Sequence, residues 1–223
     1  MMEFKYLTFD CYGTLIDWQV GIETELRSAL GPVRLGGREL LNAYVSAEKA
    51  QESTYKKYRD VLRTTVQSMS GPLGIDVPDG AARKFAESVP RWPVFPDTRA
   101  FLHEMGSRGY KRYILSNGDD DLLEETIRRN GLDVDGFVTA EQVGSYKPVH
   151  GHWTEFMRRT GAWREEILHV AQSVYHDIIP THAMGISSAW VNRYREPIPG
   201  GANPLFVSES LAHLAEVLDK DAP

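Results

Sequence analysis

Five polar residues stand where apolar stretches of the chain break off, and each is of a type that does chemistry. Asp10 follows the apolar run 4–9 and opens the stretch Asp10-Cys11-Tyr12-Gly13-Thr14. Ser116 and Asn117 follow the run 111–115, Lys147 comes before Pro148, and Asp177 follows the run 167–171. An acid at the mouth of a buried strand, just before a glycine turn, is where open α/β sheets place their chemistry. Such a carboxylate is a metal ligand, a base or a nucleophile. The loop behind it can aim backbone N–H groups at an anion, and the Thr14 hydroxyl adds a donor.

The elements that must position these residues can be read from the hydrophobic pattern. From about 17 to 92 the chain reads as helices without strands. Ile22, Leu26, Ala29 and Leu30 form one stripe, stopped at Gly31-Pro32. Leu40, Leu41, Tyr44 and Val45 form a second. Tyr55, Tyr58, Val61, Leu62, Val66 and Met69 form a third, ended by Gly71-Pro72, and Ala82, Phe85, Ala86 and Val89 a fourth. These stripes predict core packing. After the stiff stretch Trp92-Pro93-Val94-Phe95-Pro96, strands and helices alternate, which predicts a parallel sheet with right-handed crossovers. Asp119, Asp120 and Asp121 open a helix closed by Arg128 and Arg129, so the triplet reads as capping rather than metal binding. Residues 205–207 read as an edge strand, with Ser208 as the N-cap of a final helix.

Bulk properties narrow the function. The 223 residues suffice for a sizeable core with a smaller insert. An excess of 31 Asp and Glu over 25 Lys and Arg argues against a nucleic-acid surface. One cysteine excludes an internal disulfide and suits a reducing compartment. No leader-like pattern precedes the first strand, and no apolar run is long enough to span a bilayer. The expectation is a cytoplasmic protein with no membrane partner.

The motif Asp10-Cys11-Tyr12-Gly13-Thr14-Leu15 resembles the first motif of the haloacid dehalogenase superfamily in its 2-haloacid dehalogenase form. Ser116-Asn117-Gly118, Lys147-Pro148 and the stretch 167–177 fit its later motifs in order. The resemblance implies an α/β fold, a Rossmann-like doubly wound parallel-sheet core (1–16 and 93–223) with an inserted helical cap domain (17–92). It also implies a homodimer. Its implied activity is displacement of halide from a short 2-haloacid through an aspartyl ester. Asp10 is then the nucleophile, Lys147 and Asp177 support it and the attacking water, and Thr14 binds Asp10. Ser116, Asn117, Cys11, Tyr12 and Gln172 form the expected substrate-binding set. Ser116 and loop amides take a small-molecule carboxylate, and Asn117 the departing anion. Strand alternation points the Cys11 side chain itself away from Asp10, toward packing.

Two positions separate this chemistry from phosphoryl transfer. Phosphatases of the superfamily carry a second acid two residues after the nucleophile to protonate the leaving group, and Tyr12 stands there. They also bind magnesium through an acid just after the fourth strand, where this chain has Ala171-Gln172. The expectation is no metal and no cofactor. His150 and His152 lack further ligands nearby and read as solvated, His176 as lying behind the site or on the surface. Trp18 and Tyr12 are read equally as pocket wall or core.

The chain also departs from its family. The usual cap arginine is missing from the helix that includes Leu40 to Lys49, and Arg38 and Lys49 are the candidate substitutes. Runs such as Val143-Gly144-Ser145-Tyr146-Lys147-Pro148 are similar to L-azetidine-2-carboxylate hydrolase, a ring-opening branch of the same family. Ring opening, a magnesium-dependent phosphatase and a non-catalytic carboxylate binder are the alternatives.

Overall fold

The structure, a computed structural model, describes residues 4–51 and 54–220, without the side chain of Lys220. The expected run from residues 1–3 straight into the first strand lies outside the described residues, as do the core's last three.

Apolar runs become the six strands of one parallel sheet. They are β1 (Tyr6–Phe9), β2 (Lys111–Ser116), β3 (Gly136–Thr139), β4 (Ile167–Ala171), β5 (Ser187–Val191) and β6 (Phe206–Ser208), in the order β3-β2-β1-β4-β5-β6. β1 lies between β2 and β4, so the chain leaves it in opposite directions and a crevice opens at its carboxyl end. After β1, residues 17–92 carry, among the described residues, α1 (Trp18–Leu30), α2 (Gly37–Gln51), α3 (Tyr58–Ser68), α4 (Ser70–Leu73) and α5 (Asp79–Ala86). The remaining helices are α6 (Thr98–Ser107), α7 (Asp120–Asn130), α8 (Ala140–Val143), α9 (Gly151–Thr160), α10 (Ile179–Ala183) and α11 (Leu211–Lys220).

The two faces of the sheet are covered separately. Leu7, Phe9, Ile114, Leu168 and Val170 face Phe101 and Leu102 of α6 and Leu211 and Leu214 of α11. Leu115, Val138 and Ile167 face Trp153 and Phe156 of α9. Period-two alternation along each strand produces this division. The insertion shares the first of these cores through Ile22, Tyr44, Val66, Phe85 and Trp92.

Three local expectations are corrected. Gly71-Pro72 does not end the helical run but lies inside α4, where a proline in the first turn forfeits no helical hydrogen bond. The N-cap of α11 is served by Ser210, whose Oγ accepts from His213 N–H at 3.0 Å; Ser208 instead donates to the Ser210 carbonyl. Asp119 stands at the start of α7, yet its carboxylate accepts from the N–H groups of Tyr58 (2.7 Å) and Arg59 (2.9 Å), at the start of α3. Of the same triplet, Asp120 accepts from Thr139 and Gln142, and Asp121 pairs with Arg59 at 2.7 Å. Asp119 and Asp121 therefore tie the core to the insertion rather than only capping α7, and Asp120 stays within the core.

Candidate active site

Asp10 leaves β1 at its carboxyl end, and the chain then wraps around one carbonyl. The Cys11 oxygen accepts from Thr14, Leu15 and Ile16 N–H groups at 3.3, 2.8 and 3.0 Å. Gly13 makes this possible with φ +109°, a conformation closed to other residues, and a Cβ there would meet Trp18 Nε1 at 3.1 Å. The tight loop brings the Thr14 hydroxyl back onto Asp10 Oδ2 at 2.8 Å. The same hydroxyl accepts the Gln172 N–H at 2.9 Å, which joins the loops after β1 and β4.

Lys147 arrives from the loop after α8. Asn117 holds it in place by pairing with its backbone, accepting its N–H at 2.7 Å and donating to its carbonyl at 3.3 Å. Lys147 Nζ donates to Asp10 Oδ1 at 2.8 Å and to Asp177 Oδ1 at 2.7 Å. Asp177 stands in a turn of π-helix, Val174–Ile178, opened by Ser173, whose hydroxyl accepts the His176 N–H. Burial alone would raise the Asp177 pKa. The Lys147 ammonium and the His169 hydrogen bond outweigh it and hold the carboxyl well below the usual range. Burial works against the Lys147 charge too, but the two carboxylates prevail and raise its pKa.

His169 is the residue the sequence reading missed. Its Nε2 lies 2.9 Å from Asp177 Oδ1 and its Nδ1 2.8 Å from Thr8 Oγ1. Asp177 can only accept, so Nε2 is the donor. The parallel register of β1 and β4 puts Thr8 beside His169. A buried line of polar contacts thus runs Thr8, His169, Asp177, Lys147, Asp10, Thr14. The available signal was a histidine inside the otherwise apolar run Ile167-Leu168-His169-Val170-Ala171.

Above this line lies a cavity of about 260 Å³ lined by Asp10, Lys147, Asp177, Asn117, Gly118 and Gln172 from the core. Trp18, Val45, Glu48, Tyr58 and Trp92 line it from the insertion. Tyr12 and Trp18 are therefore pocket wall. Tyr12 packs edge-on against Trp92 at 5.7 Å, and its hydroxyl lies 3.1 Å from Thr126 Oγ1. Burial pushes the Tyr12 pKa well up.

Several expected placements are different. Ser116 is not on the cavity wall: its buried hydroxyl accepts the Gly118 N–H at 3.1 Å and shapes the loop beneath. Cys11 is also off the wall and so outside the substrate-binding set, but it packs fully buried in the core as strand alternation predicts, and burial and then Asp10 raise its pKa, so its thiol is no nucleophile. Asn117 uses its amide oxygen and one amide N–H on the Lys147 backbone, so it positions the lysine while standing on the cavity wall. Arg38 and Lys49 are exposed and off the wall; α2 presents Val45 and Glu48 there instead. His152 is not solvated: it is buried, its Nε2 donates to the Ser116 carbonyl at 2.9 Å, and burial drives its pKa down to about 3. His176 lies on the cavity wall.

Comparison with known proteins follows this geometry. The family model of haloacid dehalogenase-like hydrolases matches residues 4–185. This chain belongs to the haloacid dehalogenase-like hydrolases. It is 24% identical over 228 residues to haloacetate dehalogenase H-2 of Moraxella sp. (strain B), covering 97% of this chain and 100% of that one. It is 28% identical over 230 residues to glyceraldehyde 3-phosphate phosphatase of Methanothermobacter thermautotrophicus, covering 96% and 99%. In fold it is similar to the L-2-haloacid dehalogenase of Xanthobacter autotrophicus with chloropropionic acid covalently bound, with TM-score 0.86 and 22% identity over 98% of this chain and 100% of that one. The haloacid dehalogenase-like core thus carries, in this chain, a lysine shared by two carboxylates at the mouth of its central strand.

Proposed function

We propose that this hydrolase displaces a leaving group from carbon through an ester on Asp10, with a short 2-haloacid as its simplest substrate. The observation that carries this is the donor set around Asp10: each carboxylate oxygen has one donor, Lys147 or Thr14, and the residue two positions on is Tyr12. Tyr12 is a poor proton donor to an alkoxide, because its hydroxyl is engaged with Thr126 and its pKa is raised. A halide leaves as a weak base and needs no proton. Magnesium, which phosphatases of the fold use, does not fit these residues. It wants several anionic oxygens, whereas the cation between Asp10 and Asp177 is the Lys147 ammonium.

The reaction has two steps. An Asp10 oxygen attacks the α-carbon, the carbon–halogen bond breaks, and the halide leaves with the bonding pair. Water then adds to the Asp10 carbonyl carbon, and the 2-hydroxy acid leaves carrying the attacking Asp10 oxygen. Asp177 serves the second step: its Oδ2 is buried without a partner among the described residues and can orient the water. Residues 17–92 act as the cap that closes the cavity.

Single turnover in oxygen-18 water, with excess enzyme and L-2-chloropropionate, tests the reading. The 2-hydroxy acid is expected unlabelled and the Asp10 peptide labelled. Label in the first-turnover product with none in Asp10 would mean direct attack by water, and the ester would be abandoned.

A further inference from the structure

Glu48 is a carboxylate that the mechanism above does not use. It stands on α2 and lines the cavity over Asp10. Its Oε1 accepts hydrogen bonds from the hydroxyls of Tyr44 and Tyr58, both at 2.9 Å, which fix it on the wall. Burial raises its pKa, opposed by those two hydroxyls and, among the described residues, by no cation. Glu48 is half-buried, and a carboxylate partly withdrawn from water without a counter-charge takes up a proton or a cationic ligand more readily.

The surroundings favour the ligand. Tyr12, Trp18, Tyr58 and Trp92 contribute aromatic rings to the same cavity, and aromatic faces beside a carboxylate attract cations. Three carboxylates, Asp10, Glu48 and Asp177, line the cavity against one ammonium, Lys147, which two of them already share. His176 adds no charge at neutral pH, because burial pushes its pKa down. A plain halocarboxylate brings another negative charge and nothing to answer Glu48.

We propose that the preferred substrate carries an ammonium group, received by Glu48 and the surrounding rings, so that an amino acid with an electrophilic carbon is favoured over the simple haloacid that Asp10 can also attack. This rests on Asp10 as a nucleophile at carbon and narrows what it attacks. Glu48 determines specificity and takes no part in bond making.

The test needs no turnover. L-Proline and (S)-tetrahydrofuran-2-carboxylate share ring size and carboxylate and differ in the ammonium. Their binding to the wild type and to Glu48→Gln is measured by titration calorimetry. L-Proline is expected to bind the wild type about tenfold more tightly or better, the scale of a desolvated cation site. Glu48→Gln, which keeps an acceptor for both tyrosines, is expected to erase that preference and leave the oxygen ring unaffected. Equal or tighter binding of the oxygen ring overturns the proposal on the wild type alone, as does failure of L-proline to bind. A preference that survives in a folded Glu48→Gln overturns it too. Labelled Asp10 without ammonium preference sinks only this inference, whereas preference together with label in the first-turnover product and none in Asp10 sinks only the ester.

Discussion

At Lys147 an ammonium with a side-chain exposure of 2% touches two carboxylates, one of them fully buried. Lys147→Met would keep the length of the side chain and remove the charge. Asp177 would then be a buried carboxylate held by His169 alone, and breaking such a pair costs roughly 3–5 kcal/mol. Urea unfolding at neutral pH should show that loss. The sign with pH is also fixed. Without Lys147, burial raises the Asp177 pKa, so the variant should recover stability relative to wild type as acid protonates the group. A deficit that widened on mild acidification would contradict this account. His169→Leu removes a donor to Asp177 and a partner of Thr8, at a cost of about 1–3 kcal/mol. It should lower kcat more than it raises KM, because Asp177 is placed to serve the step after substrate binding.

Among the elements, α1 and α3 are the most exposed to test. Gly21 on α1 packs directly on Trp92: an added Cβ would lie 2.3 Å from the ring carbon Cγ. Gly21→Ala should therefore destabilise the protein by about 1–3 kcal/mol, despite the better helix propensity of alanine, and shift the tryptophan fluorescence. The start of α3 depends on Asp119, and Asp119→Ala should cost about 1 kcal/mol or more. Hydrogen exchange should quicken at Tyr58 and Arg59 and stay unchanged in the sheet. Neither contact was legible in the sequence. Apolar runs and glycine stops mark where elements lie, because period and turn chemistry are local. The acids at 119–121 fit the local dipole rule for α7, and nothing local reveals a second helix start facing them. Ser208 and Ser210 are likewise indistinguishable until the chain's exit from β6 is known. Glu48 was legible in part, as an acid spaced seven residues from Leu41 on a helix with an apolar stripe.

For the whole molecule, the sheet order could be expected from the alternation of strands and helices, and the polar residues that end the strands could be expected at its crevice. Which of those side chains would face the cavity could not. Ser116 shares its loop with wall residues but points beneath them, a matter of one residue of register, whereas strand alternation did place Cys11 in the core. The pH dependence of global stability follows from the buried pair. Asp177 has a depressed folded pKa, so its contribution is complete above the ordinary carboxylate range and is lost as pH falls below it. Lys147 has a raised folded pKa, so its contribution is complete below the ordinary lysine value and is lost as pH rises past it. Buried His152 and His176, with depressed pKa values, make stability fall as pH drops below the ordinary histidine value, so thermal melts should show a plateau from there up to the ordinary lysine value, and a midpoint that climbed steadily above neutral pH would contradict it.

The two chain crossings between core and insertion form a paired ribbon. Asp17 N–H bonds the Pro93 carbonyl at 2.8 Å, Phe95 N–H bonds Leu15 O at 3.1 Å, and Ile16 bridges Val94. Arg193 pins this ribbon by gripping Asp97 and the Thr14 carbonyl while stacking on Phe95. Across the cavity, residues 56–59 are fastened instead by Tyr146 to Lys56 O, Glu141 to Lys57, and Asp119 and Asp121 to Tyr58 and Arg59. One side is thus a paired ribbon, while the other includes two exposed ion pairs, Lys57–Glu141 and Arg59–Asp121. Salt screens such charges, so this second side should loosen as ionic strength rises. Where product escape limits turnover, kcat should climb with salt, and Asp121→Asn should give the same gain without it.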